Sequence, residues 1–136
     1  MQALALIRNP QLIVVSLAVV IALMLNSGRQ ALPASDVAAI QEAIALVDAG
    51  ALVIDVRESP KTHLPGALLI PLEVLSARLS TMEVAKTQTI VVYCGNGSRL
   101  GPRAAHALTQ AGYRHVVNLQ PGIEGWRKAR LPLVAA

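Results

Sequence analysis

The sequence predicts an α/β domain, a parallel sheet flanked by helices on both faces, preceded by a single apolar transmembrane helix. Short β-branched runs alternate with helical patterns along most of the chain, which is typical of a parallel sheet between helices. The 136 residues suffice for one core once a short N-terminal segment is set aside. We therefore divide the chain into an anchor or signal segment, residues 1–29, and a domain, residues 30–136.

The N-terminal segment carries no charged side chain between residues 9 and 28, and Arg8 and Arg29 bracket it. A run of about 20 uncharged residues is long enough to span a bilayer. A cleaved secretory signal is the alternative, but it needs a small-residue cleavage pattern such as Ala-x-Ala, and no convincing one follows. We expect a retained single-pass anchor that contacts the membrane through residues 10–28.

The flanking charges bear on which side of the membrane holds the domain. Arg8 lies before the apolar run and Arg29 after it, so the positive-inside rule only slightly favours a periplasmic or extracytoplasmic domain. The chain has one cysteine, which excludes an internal disulfide but does not identify the compartment.

The first predicted elements of the domain are a helix and a buried strand. Ser35 or Asp36 is expected to cap the helix, and Gly50 to end it. A continuous apolar strand follows, with Asp55 and Arg57 near its carboxyl end, where open α/β sheets place their sites. The remaining predicted elements are a helix over Leu72–Met82, a strand that opens at Thr89 and ends at Cys94 and the helix after it, a strand over His115–Leu119 and a helix over Ile123–Ala129.

The only cysteine follows the most apolar of these strands. Gly95 and Gly97 free the backbone after Cys94 to turn its amides inward, and a helix ending near Gly112 begins a few residues later. Turned amides and the positive end of a helix both favour negative charge, and the thiolate is the nucleophilic form of cysteine. A lone cysteine is more often a small buried hydrophobe, but its setting in this loop favours a reactive thiol.

Other polar side chains cluster around the predicted thiol. Arg99 can reach across the loop as a fixed cation that holds an anionic substrate. Asn96 and Ser98 are either plain loop residues or orient the loop through local hydrogen bonds. For Asp55 and Arg57 a structural ion pair is the favoured interpretation, and His63 is expected to be a hydrogen-bonding turn residue rather than a base.

Three ordered segments resemble the rhodanese (sulfurtransferase) family over roughly Ala34 to Pro132. The family's active loop has the pattern Cys, two residues, Gly, one residue, Arg, which is similar to Cys94, Gly97 and Arg99 here. The other two segments are Ile54-Asp55-Val56-Arg57-Glu58 followed by His63-Leu64-Pro65-Gly66-Ala67, and Asn118-Leu119-Gln120-Pro121-Gly122-Ile123-Glu124-Gly125-Trp126.

The resemblance implies a rhodanese-like fold and a sulfane sulfur carried on Cys94 as a persulfide. Cys94 and Arg99 are then catalytic, and Asp55 and His63 are structural residues near the site. A donor such as thiosulfate gives the sulfur, and an external thiol, a partner protein or cyanide accepts it. No metal and no cofactor are predicted. The residues expected to bind the donor are Gly95, Asn96, Gly97, Ser98 and Arg57.

Charge is distributed unevenly along the chain in a way that favours anionic substrates. From Cys94 onward, six basic residues face one acidic residue, a balance of +5, whereas Asp36 to Tyr93 holds four basic and seven acidic residues, a balance of −3. A basic half that contains the nucleophile attracts small anions. Nucleic acid is a poor partner because stacking aromatics and basic runs are nearly absent.

Two other functions remain open from the sequence. A shortened segment before His63 and Leu100 in place of a small polar residue are compatible with a non-catalytic rhodanese-like binding module. A cysteine phosphatase or arsenate reductase is less favoured, because those sites separate cysteine and arginine by five residues. Four residues separate Cys94 from Arg99, which favours sulfur transfer.

Overall fold

A computed structural model describes residues 32–136, which form a parallel sheet between two pairs of helices. The elements in chain order are α1 (Ala34–Asp48), β1 (Leu52–Asp55), β2 (Thr62–His63), β3 (Leu68–Leu69), a 3-10 helix (Leu72–Val74), α2 (Leu75–Thr81), β4 (Thr89–Tyr93), α3 (Leu100–Gln110), β5 (His115–Asn118), α4 (Gly122–Lys128) and β6 (Val134–Ala135).

The main sheet has the strand order β3-β1-β4-β5, and every neighbouring pair is parallel. Asp55 at the end of β1 lies opposite Tyr93 at the end of β4. The chain adds β3 on one side of β1 and then returns to add β4 on the other side. The order therefore reverses between β1 and β4, and open α/β sheets bind ligands at the carboxyl ends of the strands at such a point.

Two apolar clusters cover the two faces of this sheet. Val53, Val91 and Tyr93 point to the face where α1 and α4 contribute Ile40, Ile44, Ile123 and Trp126. Ile54, Ile90 and Val92 point to the other face, where α2 and α3 contribute Leu75, Leu79, Ala104 and Leu108. The prediction of a parallel sheet flanked by helices on both faces is confirmed.

The capping prediction for α1 is wrong. The helix begins at Ala34 with Pro33 as its N-cap residue, and no side chain caps it. The Pro33 carbonyl accepts hydrogen bonds from the amides of Asp36 (2.9 Å) and Val37 (3.1 Å). Pro33 suits this position because its backbone is extended, with φ −53° and ψ 145°, and the helix needs no amide hydrogen from the residue before its first turn. The start of α1 therefore depends on backbone geometry rather than on a polar side chain.

The predicted single helix over Leu72–Met82 is instead two elements. A 3-10 helix over Leu72–Val74 precedes α2, which ends at Thr81. Beyond the sheet, β6 pairs antiparallel with β2, so that Val134 lies opposite His63. The sequence does not predict this small second sheet, because a strand of two residues is too short to show an alternation of apolar and polar side chains.

The predicted membrane anchor, residues 10–28, lies outside the described residues. Among residues 32–136, no helix has both the length and the apolar character needed to cross a membrane.

Candidate active site

Cys94 follows the last residue of β4, at the edge where the strand order reverses. Its side chain is buried, with 3% relative exposure, and its carbonyl accepts a hydrogen bond from the Ile123 amide at 3.0 Å. The predicted position of the cysteine at the end of a central buried strand is thereby confirmed. The backbone of α4 holds the residue from one side, and the loop that leads to α3 follows it.

Gly97 makes the tight turn of this loop. Its φ is +79°, a conformation that side-chain-bearing residues rarely adopt. A Cβ at Gly97 would lie 1.6 Å from the Gln120 carbonyl oxygen. The loop therefore packs directly on the backbone of the turn between β5 and α4, and only glycine fits there.

The elements on either side of that turn also anchor the loop through hydrogen bonds. The Asn118 side-chain amide donates to the Gly97 carbonyl at 3.0 Å, and the Glu124 amide donates to the Gly95 carbonyl at 2.9 Å. Gly122 has φ +60°, and a Cβ there would lie 2.5 Å from the Gly95 carbonyl oxygen. The loop carbonyls are thus directed toward β5 and α4, and their hydrogen bonds hold the loop in one conformation.

Most amides of the loop have no such partner. Within residues 32–136, no acceptor is bonded to the backbone N–H groups of Gly95, Asn96, Gly97 or Arg99. The Ser98 amide is the exception, because it donates to the Asn96 Oδ1 at 3.1 Å, and the Ser98 hydroxyl donates to the same oxygen at 2.7 Å. Asn96 and Ser98 therefore orient the loop locally, while the other amides remain available to an anion.

Arg99 is the last residue before α3, and its side chain is exposed. Within the described part of the chain it forms no ion pair and no side-chain hydrogen bond. Its guanidinium is consequently a cation with five donors, without a carboxylate to neutralise it.

Asp55 and Arg57 form the ion pair that was the favoured interpretation of these residues. The fully buried Asp55 carboxylate accepts from Arg57 Nη2 at 2.7 Å and from Nε at 3.0 Å. Arg57 Nη2 also donates to the Thr62 carbonyl at 2.7 Å, which ties β2 to the segment that follows β1. The Asp55 hydrogen bond raises the pKa of Arg57, so the cation persists at every pH of interest. Donor binding by Arg57 stays a prediction.

Tyr93 is fully buried and lies opposite Asp55 in the sheet. The Leu64 amide donates to the Tyr93 hydroxyl oxygen at 2.9 Å. Burial raises the pKa of Tyr93 well above its ordinary value, and the hydrogen bond from Leu64 opposes that shift. The Asp55 charge adds to the increase. Tyr93 is therefore a neutral structural phenol beneath the site.

His63 lies in β2 and is half-buried. Its Nδ1 is 2.7 Å from the Leu64 carbonyl oxygen, so the imidazole hydrogen-bonds the backbone of the next residue, as expected, but from a strand rather than from a turn. Among the described residues, no three side chains of the His, Cys, Asp and Glu types lie together as metal ligands would.

The sequence analysis did not assign Asn118 and Glu124 to the site. Asn118 Nδ2 holds the Gly97 carbonyl across 21 residues of sequence, and the Glu124 Oε1 lies 3.8 Å from where a Gly95 Cβ would be. Both residues stand within the third segment of the family resemblance. The available signal was their position at the end of β5 and in the first turn of α4.

Three known proteins are similar to this chain in sequence. A "Sulfurtransferase" of Allochromatium vinosum is 37% identical over 87 residues, 62% of this chain and 78% of the relative. "Thiosulfate sulfurtransferase PspE" of Escherichia coli is 38% identical over 68 residues, 48% of this chain and 64% of the relative. "Uncharacterized protein YibN" of Escherichia coli is 30% identical over 132 residues, 93% of this chain and 92% of the relative.

A solved structure is similar to this chain in fold, and a family model matches its sequence. The crystal structure of the Rhodanese_3 like domain of the Anabaena protein Alr3790 matches with a TM-score of 0.58 at 30% identity, covering 62% of this chain and 99% of that domain. The model of the Rhodanese-like domain family matches residues 39–129, which include both β1 and the loop after Cys94. The chain therefore belongs to the rhodanese-like domain family, whose members similar to this chain include sulfurtransferases.

Proposed function

We propose that this protein is a sulfurtransferase that moves a sulfane sulfur from an anionic donor such as thiosulfate to an external acceptor through a persulfide on Cys94. The observation that carries the proposal is the position of Cys94 at the end of a central strand, beside a loop in which the amides of Gly95, Asn96, Gly97 and Arg99 have no acceptor among residues 32–136. The sulfurtransferases among its relatives support the same reaction class.

In the first half-reaction the Cys94 thiolate attacks the outer sulfur of the donor. A bond forms between Sγ and that sulfur, the sulfur–sulfur bond of thiosulfate breaks, and its electron pair leaves with sulfite. The total charge of −3 is the same before and after the transfer. Arg99 and the amides of Gly95, Asn96, Gly97 and Arg99 stabilise the anionic donor and the anionic leaving group.

In the second half-reaction the outer sulfur of the persulfide passes to an acceptor. Cys94 is the only cysteine of the sequence, so no second thiol of the same chain can take that sulfur. The acceptor is therefore an external thiol, a partner protein or cyanide, and the acceptor attacks the outer sulfur while Cys94 leaves as a thiolate.

Steady-state transfer from thiosulfate to cyanide, followed as thiocyanate formation, tests the proposal. The wild-type chain is expected to turn over, and Cys94→Ser is expected to have no activity while it keeps the wild-type melting temperature. A wild-type chain that binds thiosulfate but forms no thiocyanate with cyanide, and releases no sulfite with a small thiol as acceptor, would favour a binding module instead.

We also propose that residues 1–29 are a retained membrane anchor before the domain of residues 30–136. The uncharged run between Arg8 and Arg29 supports an anchor. The match to YibN covers 93% of the 136 residues and leaves about ten unmatched, so it must include much of this segment. The charge before the run favours a periplasmic or extracytoplasmic domain, where the donor and the acceptor would be those outside the cytoplasm.

Fractionation of cells that express the full-length chain tests this anchor. We expect the protein to stay with membranes in alkaline carbonate and to keep its original N-terminus, and we expect protease added to spheroplasts to digest the domain. A shorter protein in the soluble fraction would show a cleaved signal instead, and protection of the domain until lysis would place it in the cytoplasm.

A further inference from the structure

An acidic side chain lies directly beside the loop that follows Cys94. Glu124, the third residue of α4, donates its amide hydrogen to the Gly95 carbonyl at 2.9 Å. Its Oε1 is 3.8 Å from the position that a Gly95 Cβ would occupy, which places this oxygen no more than about 5 Å from the Gly95 Cα. A negative charge therefore stands at the edge of the same loop that offers its free amides to an anion.

This charge is not neutralised by an ion pair. Within residues 32–136 the one ion pair within 4.0 Å joins Asp55 and Arg57. Arg127, one turn after Glu124 on α4, directs its Nη2 to the Thr62 hydroxyl at 3.3 Å instead. Glu124 is exposed, and it is the only acidic residue after Cys94 in the sequence. The basic half of the chain thus carries its single carboxylate at the mouth of the site.

From this placement we infer that Glu124 sets the charge of the preferred sulfur donor, so that the site discriminates against dianions in favour of donors with one negative charge or none. The inference rests on the proposed sulfur transfer through Cys94. Both kinds of donor give the same persulfide: thiosulfate releases sulfite, and the monoanion methanethiosulfonate (CH3SO2S−) releases methanesulfinate, each with the electron pair of the broken sulfur–sulfur bond. Only the charge that approaches Glu124 differs.

Coulomb's law gives the size of the effect. For a donor charge bound about 7 Å from the Glu124 carboxylate in a water-like dielectric, repulsion lowers the donor's rate of encounter with the site about threefold per negative charge. The rate of encounter is consequently lowered about threefold for a monoanion and about sevenfold for a dianion. Salt screens exposed charges, so the difference is expected to shrink strongly at about 1 M ionic strength, where the Debye length is about 3 Å.

The test compares kcat/KM for thiosulfate and for methanethiosulfonate in the full-length wild type and in Glu124→Gln at low ionic strength. The variant is expected to raise the thiosulfate-to-methanethiosulfonate ratio by two- to threefold, and high salt is expected to abolish this change. Glu42→Gln removes the same charge from the exposed face of α1 and is expected to leave the ratio unchanged. A ratio in Glu124→Gln equal to the wild-type ratio would overturn the inference, because a purely structural role would affect both donors alike.

A second readout separates this inference from the proposed function. Alkylation of Cys94 by iodoacetate, an anion, and by iodoacetamide, which is neutral, needs no sulfur transfer. Glu124→Gln is expected to raise the iodoacetate-to-iodoacetamide rate ratio about threefold at low salt. If this ratio rises while no donor is turned over by the wild type, the sulfurtransferase proposal fails and the electrostatic role of Glu124 stands. If donors are turned over and neither ratio changes, the inference alone is contradicted.

Discussion

Replacing Gly97 by alanine tests whether the turn between β5 and α4 determines the shape of the reactive loop. Two costs arise at this position. The left-handed φ of +79° costs an alanine about 1–2 kcal/mol. The added methyl group would also lie 1.6 Å from the Gln120 carbonyl oxygen, so the backbone must move, and forced overpacking costs about 1–3 kcal/mol more.

Gly50 offers a matched control for the conformational cost alone. Its φ is +101°, and a Cβ there would meet no atom within 4 Å. Gly50→Ala is therefore expected to lose about 1 kcal/mol of unfolding free energy, and Gly97→Ala about 3 kcal/mol. The difference of about 2 kcal/mol corresponds to about 10 °C in melting temperature for a domain of this size.

Urea denaturation of the two variants and of the wild type measures these losses, and the rate of Cys94 alkylation by iodoacetamide reports on the loop. Gly97→Ala is expected to change that rate at least severalfold, whereas Gly50→Ala is expected to react as the wild type does. Equal stability losses in the two variants, together with unchanged alkylation, would refute the tight packing of the loop on Gln120.

Three further predictions concern residues around the same loop. Asn118→Ala removes the hydrogen bond to Gly97, so it is expected to lose about 1 kcal/mol of unfolding free energy and to alter the rate of Cys94 alkylation. Asn118→Asp is expected to lose more, since a carboxylate oxygen would face the Gly97 carbonyl. Urea denaturation measures both losses. The raised pKa of Tyr93 contributes stability that is complete below about pH 10 and is lost as pH rises toward the folded-state value. Between about pH 9 and pH 11 the wild type should therefore lose about 1.4 kcal/mol more unfolding free energy than Tyr93→Phe does, as measured by urea denaturation. Arg99→Ala is expected to keep the wild-type melting temperature and to lose at least tenfold in kcat/KM for thiosulfate. Arg99→Lys is expected to restore this activity only in part, because an ammonium lacks the planar fork of donors. A large loss of stability with activity retained would show that Arg99 is structural.

The features that the sequence predicted correctly are those that depend on neighbours along the chain. Ile90 to Tyr93 form an unbroken apolar run, and this run is the central strand because both of its faces are covered. Gly97 and Gly112 both adopt positive φ, one in the loop and one after α3, as glycines at such positions are expected to. The position of Cys94 follows directly from these local signals.

The features that the sequence did not predict depend on contacts between distant segments. The bond from Asn118 to Gly97 joins residues 21 positions apart, and the pairing of β2 with β6 joins Thr62 to Ala135. No periodicity encodes such contacts, because they depend on how β5 and the C-terminal segment pack in the finished fold. The start of α1 was predicted wrongly for another reason, because the N-cap residue is a proline and not the expected residue with a polar side chain.

The most direct test of the central claim is the intact mass of the full-length protein after incubation with thiosulfate, without reductant and without acceptor. We predict that the wild type gains the mass of one sulfur atom, that peptide mapping places it on Cys94, and that cyanide removes it. Cys94→Ser is predicted to gain nothing under the same conditions. A wild-type chain that folds, keeps a reduced Cys94 and shows no added sulfur with thiosulfate or with methanethiosulfonate would contradict the assignment of Cys94 as the sulfur carrier.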